Sequence, residues 1–346
     1  ARLALNAMVD TDGQVNDYQK AKDYCDKIIS ANVYELAKEP KNGYTGYQQL
    51  FMADNDENPE AMKEIILPIR QDGAKARSHG GSTMLINGTR CSGMPYYYQS
   101  NPWQCIFARK DMVGKFIPSL DVVNADNDAC SKSYDKYLKD NGLDASKLTE
   151  ADILKMDEAL GASTKEMVRK AGDDRALLYG GFAGGVRRLS PDKTIKNFFD
   201  GLSIVKWSNV RTDGAAAHGE NFCDTDIPLF RLGEIYLTRA EALYRLGDKQ
   251  GALKDIQKLQ DRAHRINIAQ SVDLNYILDE WCREFYLEGR RRSDLVRFGL
   301  FTSSQYVWSF KGGQENGVGV DSHYNVYPVP ANEIAGNANL HQNPGY

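Results

Sequence analysis

The sequence predicts a mainly α fold: tetratricopeptide-like helical hairpins carrying long irregular loops and a few short strands. Three observations lead there. Between Asp226 and Gly299 apolar residues recur at three- and four-residue spacing along successive segments, which is the stripe of an amphipathic helix. Alanines at 240, 242 and 252 let two antiparallel helices approach closely, as in a tetratricopeptide hairpin. Between residues 74 and 120 the periodicity stops, and glycines and aromatic rings take over.

Residues 1–36 read as a first helical hairpin. Leu3, Leu5, Ala7 and Met8 stripe one helix; Tyr18, Ala21, Tyr24, Cys25 and Ile28 stripe the next, across the turn segment VDTDGQVND. The first helix starts at residue 1 with no capping residue before it, so more sequence is expected upstream. The expected organisation is one domain over 1–346, truncated at its N-terminus, with 1–36 and 226–299 as the helical scaffold. Ile65, Ile66, Leu67 and Ile69 form a short apolar run, expected to be a strand.

The segment 74–120 reads as an irregular aromatic loop region. Tyr96, Tyr97, Tyr98, Trp103 and Phe107 crowd a stretch with no helical or strand period. Three consecutive tyrosines cannot all point inward, because an extended chain alternates faces. Sugar rings present flat arrays of C–H groups that lie well on the face of an aromatic ring. The candidate ligand-binding residues are therefore Trp103 with Tyr96, Tyr97 and Tyr98, and Gln99 and Asn101 to fix hydroxyl groups, with Asn87, Arg90 and Arg109 nearby. No Asp or Glu occurs from Ser78 to Ile106, which argues against glycosidic hydrolysis there, a reaction that needs two carboxylates. The alternative use of such rings is a protein interface, where tyrosine and tryptophan also dominate.

Further along, Asn124, Asp126, Asp128 and Asp135 fall at positions 1, 3, 5 and 12 of a calcium loop, but Ala129 stands where glycine is required. The reading is a solvated acidic loop, and no metal or cofactor is expected. Residues 131–178 read as helical, with LTEADILKM opening on a threonine cap and an aspartate three positions on. Trp207, in FFDGLSIVKWSNV, reads as structural rather than ligand-binding. Asp224 and Asp226 precede Pro228 and read as caps of the following helix.

From there Leu232, Ile235, Leu237, Ala240, Leu243 and Leu246 stripe one helix; Gly247 stops it and Asp248 caps the next, which buries Ala252, Leu253, Ile256 and Leu259. A third helix begins near Asp273 and carries Leu274, Ile277, Leu278, Trp281 and Phe285. Arg239, Glu241, Arg262, Arg283, Glu284, Glu288 and Arg290 to Arg292 crowd these helices with Asp294 and Arg297, so some must be buried in ion pairs. Glu284 and Glu288, four residues apart, are expected on one helix face as part of that network rather than as an acid/base pair.

Composition sets wider limits. A net charge of −4 leaves no footprint for nucleic acid or an anionic membrane, and no run of 18 apolar residues occurs. Six cysteines show no C-x-x-C spacing, which speaks against zinc. Cys25 and Cys282 fall in helical stripes as core thiols, while Cys91 and Cys105 flank one loop and could pair.

RAEALYRLGD, ALKDIQKLQDRA and REFYLEGRRRSDLVRFG, followed by the closing YNVYPVPANEIAGNANLHQNPGY, resemble the C-terminal signature of the SusD/RagB family. The resemblance covers most of 200–346, with Val329 in the middle position of the family's closing proline turn. It implies a SusD-like fold and a non-enzymatic glycan-binding lipoprotein of the Bacteroidetes cell surface. It implies two partners: the glycan, and a TonB-dependent outer-membrane transporter of the SusC type. It also implies a lipid anchor upstream of this chain, and ligand-binding aromatics in the region of 96–103.

Overall fold

The computed structural model describes the chain apart from residues 12, 96–100, 118, 120–126, 182–200 and 220; for 127–130 it describes the backbone alone. Helices dominate. Helices α1 (Arg2–Asp10) and α2 (Tyr18–Ser30) form the first hairpin. Short helices α3 (Gly46–Gln49) and α4 (Pro59–Glu64) lead into strand β1 (Ile65–Ile69), the apolar run expected to be extended. After α5 (Gly81–Thr89) and α6 (Lys110–Val113) come α7 (Asn127–Asp140), α8 (Glu150–Ala159) and α9 (Thr164–Ala171). Strands β2 (Leu178–Tyr179), β3 (Ser203–Ile204) and β4 (Ile227–Arg231) precede helices α10 (Leu232–Arg245), α11 (Lys249–Arg262), α12 (Leu274–Phe285), α13 (Arg291–Arg297) and α14 (Ala331–Gly336). Among the described residues no helix is long and apolar enough to cross a membrane.

The predicted end of α10 and the predicted starts of α11 and α12 hold because their chemistry is local. Gly247 takes φ +95°, and the Asp248 carboxylate accepts from the Gly251 N–H at 2.8 Å to start α11. Asp273 accepts from Tyr276 N at 2.7 Å to start α12. Thr149 and Asp152 form the expected capping box of α8. Leu5, Tyr18 and Ala21 of the first hairpin pack with Leu237, Ala240, Leu253, Ile256, Ile277 and Trp281, so the two hairpins share one core although more than 200 residues separate them. A second core around Phe51, Ile86, Leu177, Tyr179 and Trp207 joins the loops to the helices. Trp207 is buried and donates its indole N–H to Leu287 O at 3.2 Å, a structural role. Leu3 and Tyr24 depart from their predicted stripe: they line an open apolar groove with Ile28, Ile66 and Phe230.

Two expectations change. The stretch before α10 is not a capped helix entrance. Ile227–Arg231 is a strand, paired antiparallel with β1 in the register Ile69↔Ile227 and Ile65↔Arg231, and Pro228 sits opposite Pro68 where the ladder is irregular. Nor is 74–120 wholly irregular, since Gly81–Thr89 is helical and buries Thr83, Ile86, Asn87 and Thr89. Its mixed composition hides the period that tertiary packing supplies.

Candidate functional site

The candidate site is built on the C-terminal end of α5. The chain leaves the helix, returns, and runs back beside it: Trp103 N donates to Asn87 O at 2.8 Å, Gln104 N to Arg90 O at 3.0 Å, and Cys105 N to Gly88 O at 2.9 Å. This return path fixes Trp103. Its side chain is half-buried, and its ring centroid lies 5.9 Å from that of His79, which in turn lies 4.9 Å from that of Phe222. Three rings from three separate loops thus form a row. Asn101 is exposed beside it and donates from its side-chain amide to Asn221 Oδ1 at 3.2 Å.

Of the predicted ligand residues, Trp103 and Asn101 are therefore brought together at one edge, whereas Tyr96, Tyr97, Tyr98 and Gln99 lie outside the described residues. Two supporting residues prove to be scaffold. Asn87 is fully buried and holds Asn101 N through its side-chain oxygen at 3.3 Å. Arg90 is fully buried and donates to the carbonyls of Ile204, at 2.6 Å, and Trp207. Cys91 and Cys105 are not joined: Cys105 is exposed, while Cys91 is buried with its sulfur 3.4 Å from Ser203 Oγ. Of the candidate calcium positions, 124 and 126 lie outside the described residues, whereas Asp128 and Asp135 fall on helix α7 rather than in a loop.

Sequence reasoning missed His79, Asn221 and Phe222, because the loops that carry them are about 140 residues apart and are brought together by tertiary contacts, among them a clasp of carboxylates. Asp226 Oδ1 accepts from Gln71 N at 2.7 Å, and Asp224 Oδ1 accepts from Gly73 N at 2.8 Å. Asp224 Oδ2 accepts from His218 N at 2.8 Å, and the Asp224 backbone N–H donates to Asn209 Oδ1 at 2.9 Å. Neither aspartate caps a helix, contrary to the sequence reading; both tie the loop at 71–80 to the loop at 209–225. Gly73 is required at the crossing, where a Cβ would lie 2.3 Å from Phe222 O. Burial pushes the Asp226 carboxyl up, although the Gln71 N–H and Arg70 oppose this.

Asp72, His218 and Asp224 each bring a ligand atom within 4.8 Å of the others, the one such group of three among the described residues. Two carboxylates and an imidazole suit a divalent cation, and this group sits in the same clasp. The backbone N–H groups of Lys75 and Ala74 hold the Asp72 carboxyl below its ordinary range.

A family model described as the SusD family matches residues 63–346. The starch-binding protein SusD of Bacteroides thetaiotaomicron is 51% identical over 346 residues, a match covering 100% of this chain and 59% of that protein. This chain thus spans well under two thirds of its curated relative. Solved structures share the fold at lower identity. A SusD superfamily protein from Bacteroides fragilis superposes with TM-score 0.55 at 17% identity, over 100% of this chain and 63% of its own. The surface glycan-binding protein A from Bacteroides fluxus superposes with TM-score 0.57 at 19% identity, over 100% and 61%. With a family model spanning most of its length and a mainly helical fold held in common, the chain belongs to the SusD family.

Proposed function

We propose that this chain binds oligo- or polysaccharide at a cell surface without cleaving it, and serves delivery of the glycan to a TonB-dependent transporter of the SusC type in the outer membrane. The observation that carries the binding role is the row of rings formed by Trp103, His79 and Phe222, with the Asn101–Asn221 pair at its edge. Such rings stack on the C–H faces of pyranoses while amides reach their hydroxyls. The named specificity of the relative makes an α-glucan the first ligand to test. Delivery and surface location rest on the family alone.

Composition favours binding over hydrolysis. A glycosidase needs one carboxyl raised enough to protonate a leaving group. No Asp or Glu occurs from Ser78 to Ile106, the segment that carries His79 and Trp103. Calorimetry with soluble amylopectin, with reducing ends assayed in parallel, tests the reading. Trp103→Ala is expected to weaken binding by about 1–3 kcal/mol, the scale of other aromatic stacking losses, at nearly unchanged Tm and with no new reducing ends in either protein. Turnover abolished by replacing one Asp or Glu would overturn the non-catalytic reading. Full affinity in Trp103→Ala would move the site elsewhere.

A further inference from the structure

A second cavity lies apart from the row of rings. It has a volume of about 330 Å³ and opens between the segment 43–52 that contains α3, the first turn of α9 and the segment 205–208. That is the lower end of the range for small-molecule pockets, about 300–1,000 Å³. None of His79, Trp103 and Phe222 lines it.

One of its lining atoms is unaccounted for by the fold. Thr164 is 8% exposed and its hydroxyl is buried without any hydrogen-bond partner. Capping does not use it, because the neighbouring Ser163 side chain already accepts from Glu166 N to start α9. An unmet buried hydroxyl is costly, and a ligand oxygen in the cavity would satisfy it.

The remaining lining sorts by chemistry. Gln48 uses its side-chain oxygen on Thr45 N at 2.9 Å, which leaves its amide N–H groups as donors. Ser208 Oγ accepts from Val210 N at 3.3 Å and keeps its own proton to donate. Asp174 accepts from His264 Nδ1 through Oδ2 at 2.7 Å and offers its second oxygen as an acceptor. Lys165, which pairs with Glu158, stands at the exposed end. The floor is apolar, formed by Met52, Leu177 and Val205, and Tyr44 contributes a ring.

Donors and an acceptor over an apolar floor match a neutral pyranose, whose hydroxyls both give and receive and whose C–H face is apolar. A free anion fits less well: Asp174 would repel it, and the two lining lysines are already committed, Lys165 to Glu158 and the buried Lys206 to Glu288. We propose that this cavity is a second carbohydrate site taking a single neutral pyranose, such as a chain end or a branch. The proposal rests on the glycan-binding reading above.

The test uses methyl α-D-glucopyranoside as probe, read by saturation-transfer NMR titration, with sodium sulfate as the competing probe and amylopectin calorimetry alongside. Thr164→Val keeps the shape and deletes the unpaired hydroxyl, so its Tm is expected to hold or rise. Binding of the glucoside should weaken roughly twofold to tenfold, the worth of one neutral hydrogen bond, while amylopectin affinity stays. Trp103→Ala should do the reverse. Ser208→Ala supplies an independent loss of glucoside binding if Thr164→Val folds poorly.

Glucoside binding indifferent to both pocket variants, its loss in Trp103→Ala, or occupancy by sulfate in place of the glucoside would overturn the second site. Failure of the wild type to bind amylopectin would instead count against the platform, and the Thr164-dependent glucoside signal would still decide this pocket.

Discussion

Glu288 shows what one side chain does in the buried charge network and how far its role could be read beforehand. Its carboxylate accepts from Arg231 Nε and Nη2 at 2.9 Å each and from Lys206 Nζ at 2.5 Å. Four residues earlier, Glu284 accepts from Arg231 at 2.6 Å, from Arg175 at 2.9 Å and from Arg262. Their pairing in an ion network was legible from the crowding of charges. Their geometry was not, because α12 ends at Phe285 and Leu287 turns into the left-handed region at φ +56°, so Glu288 reaches Arg231 from a turn rather than from the helix face. Gly233 makes the close approach sterically feasible: a Cβ there would lie 2.5 Å from an Arg231 nitrogen and 2.9 Å from Glu284 Oε1. Arg292, grouped with these residues by sequence, lies outside the buried set. It packs over the Tyr327 ring at 3.7 Å and donates to Tyr324 O at 2.6 Å near the surface. Glu288→Gln is therefore expected to lower stability by about 3–5 kcal/mol, the usual loss when one partner of a buried pair is removed. Arg292→Ala should cost about 1 kcal/mol or less, in line with exposed pairs. Urea denaturation midpoints read both, and equal losses would contradict this division.

At the scale of elements, legibility follows sequence separation. The α10–α11–α12 scaffold could be read because its caps and apolar period are local. The clasp between 71–73 and 224–226 could not, since it joins segments more than 150 residues apart and each half looks like an ordinary loop. Helix α5 was missed for a related reason: GSTMLINGT mixes small, polar and apolar residues, and only burial against the second core selects its face. The clasp positions His79, Asn221 and Phe222, so a change there should reach the ligand without touching it. Asp224→Ala removes the acceptor of Gly73 N and His218 N. Stability is expected to fall by about 1–3 kcal/mol, the penalty for stranding the buried Gly73 donor, and amylopectin affinity to fall severalfold. Hydrogen exchange at Gly73 and His218 should quicken. Faster exchange with wild-type affinity would mean that the ring row does not depend on the clasp.

The whole molecule is held by carboxylates buried among arginines, and that arrangement sets how it responds to acid. Burial by itself pushes Glu284 up, but Arg262, Arg231 and Arg175 outweigh it and hold the carboxyl well below 4.5. The same contest, won by arginine, lowers Glu280 beside Arg175 and Arg283, Glu241 beside Arg297 and Arg245, and Glu234 beside Arg2 and Arg290. Between its depressed folded value and the ordinary 4.5, each group binds fewer protons folded than unfolded. The stabilisation is therefore complete above about 4.5 and is lost as pH falls through the folded values. Asp226 and Asp255, both raised by burial, act in the opposite sense but are fewer. On the alkaline side Lys206, pushed down to about 8 by burial against the pull of Glu288, makes the fold gain stability as pH rises from there towards 10.5. Cys25, pushed up to about 12 by burial, opposes that gain above 9. A plateau in Tm near neutrality with a cooperative fall beginning below pH 4.5 is the expected profile, and added salt should change it little because these pairs are buried. Glu241→Gln isolates one contributor. Its carboxylate takes two bonds from Arg297 at 2.9 Å and one from Trp281 Nε1 at 3.0 Å, so the variant should be less stable at neutral pH and lose stability more gently on acidification. Parallel acid limbs for wild type and variant, measured by urea denaturation at each pH, would show that Glu241 does not titrate in this window.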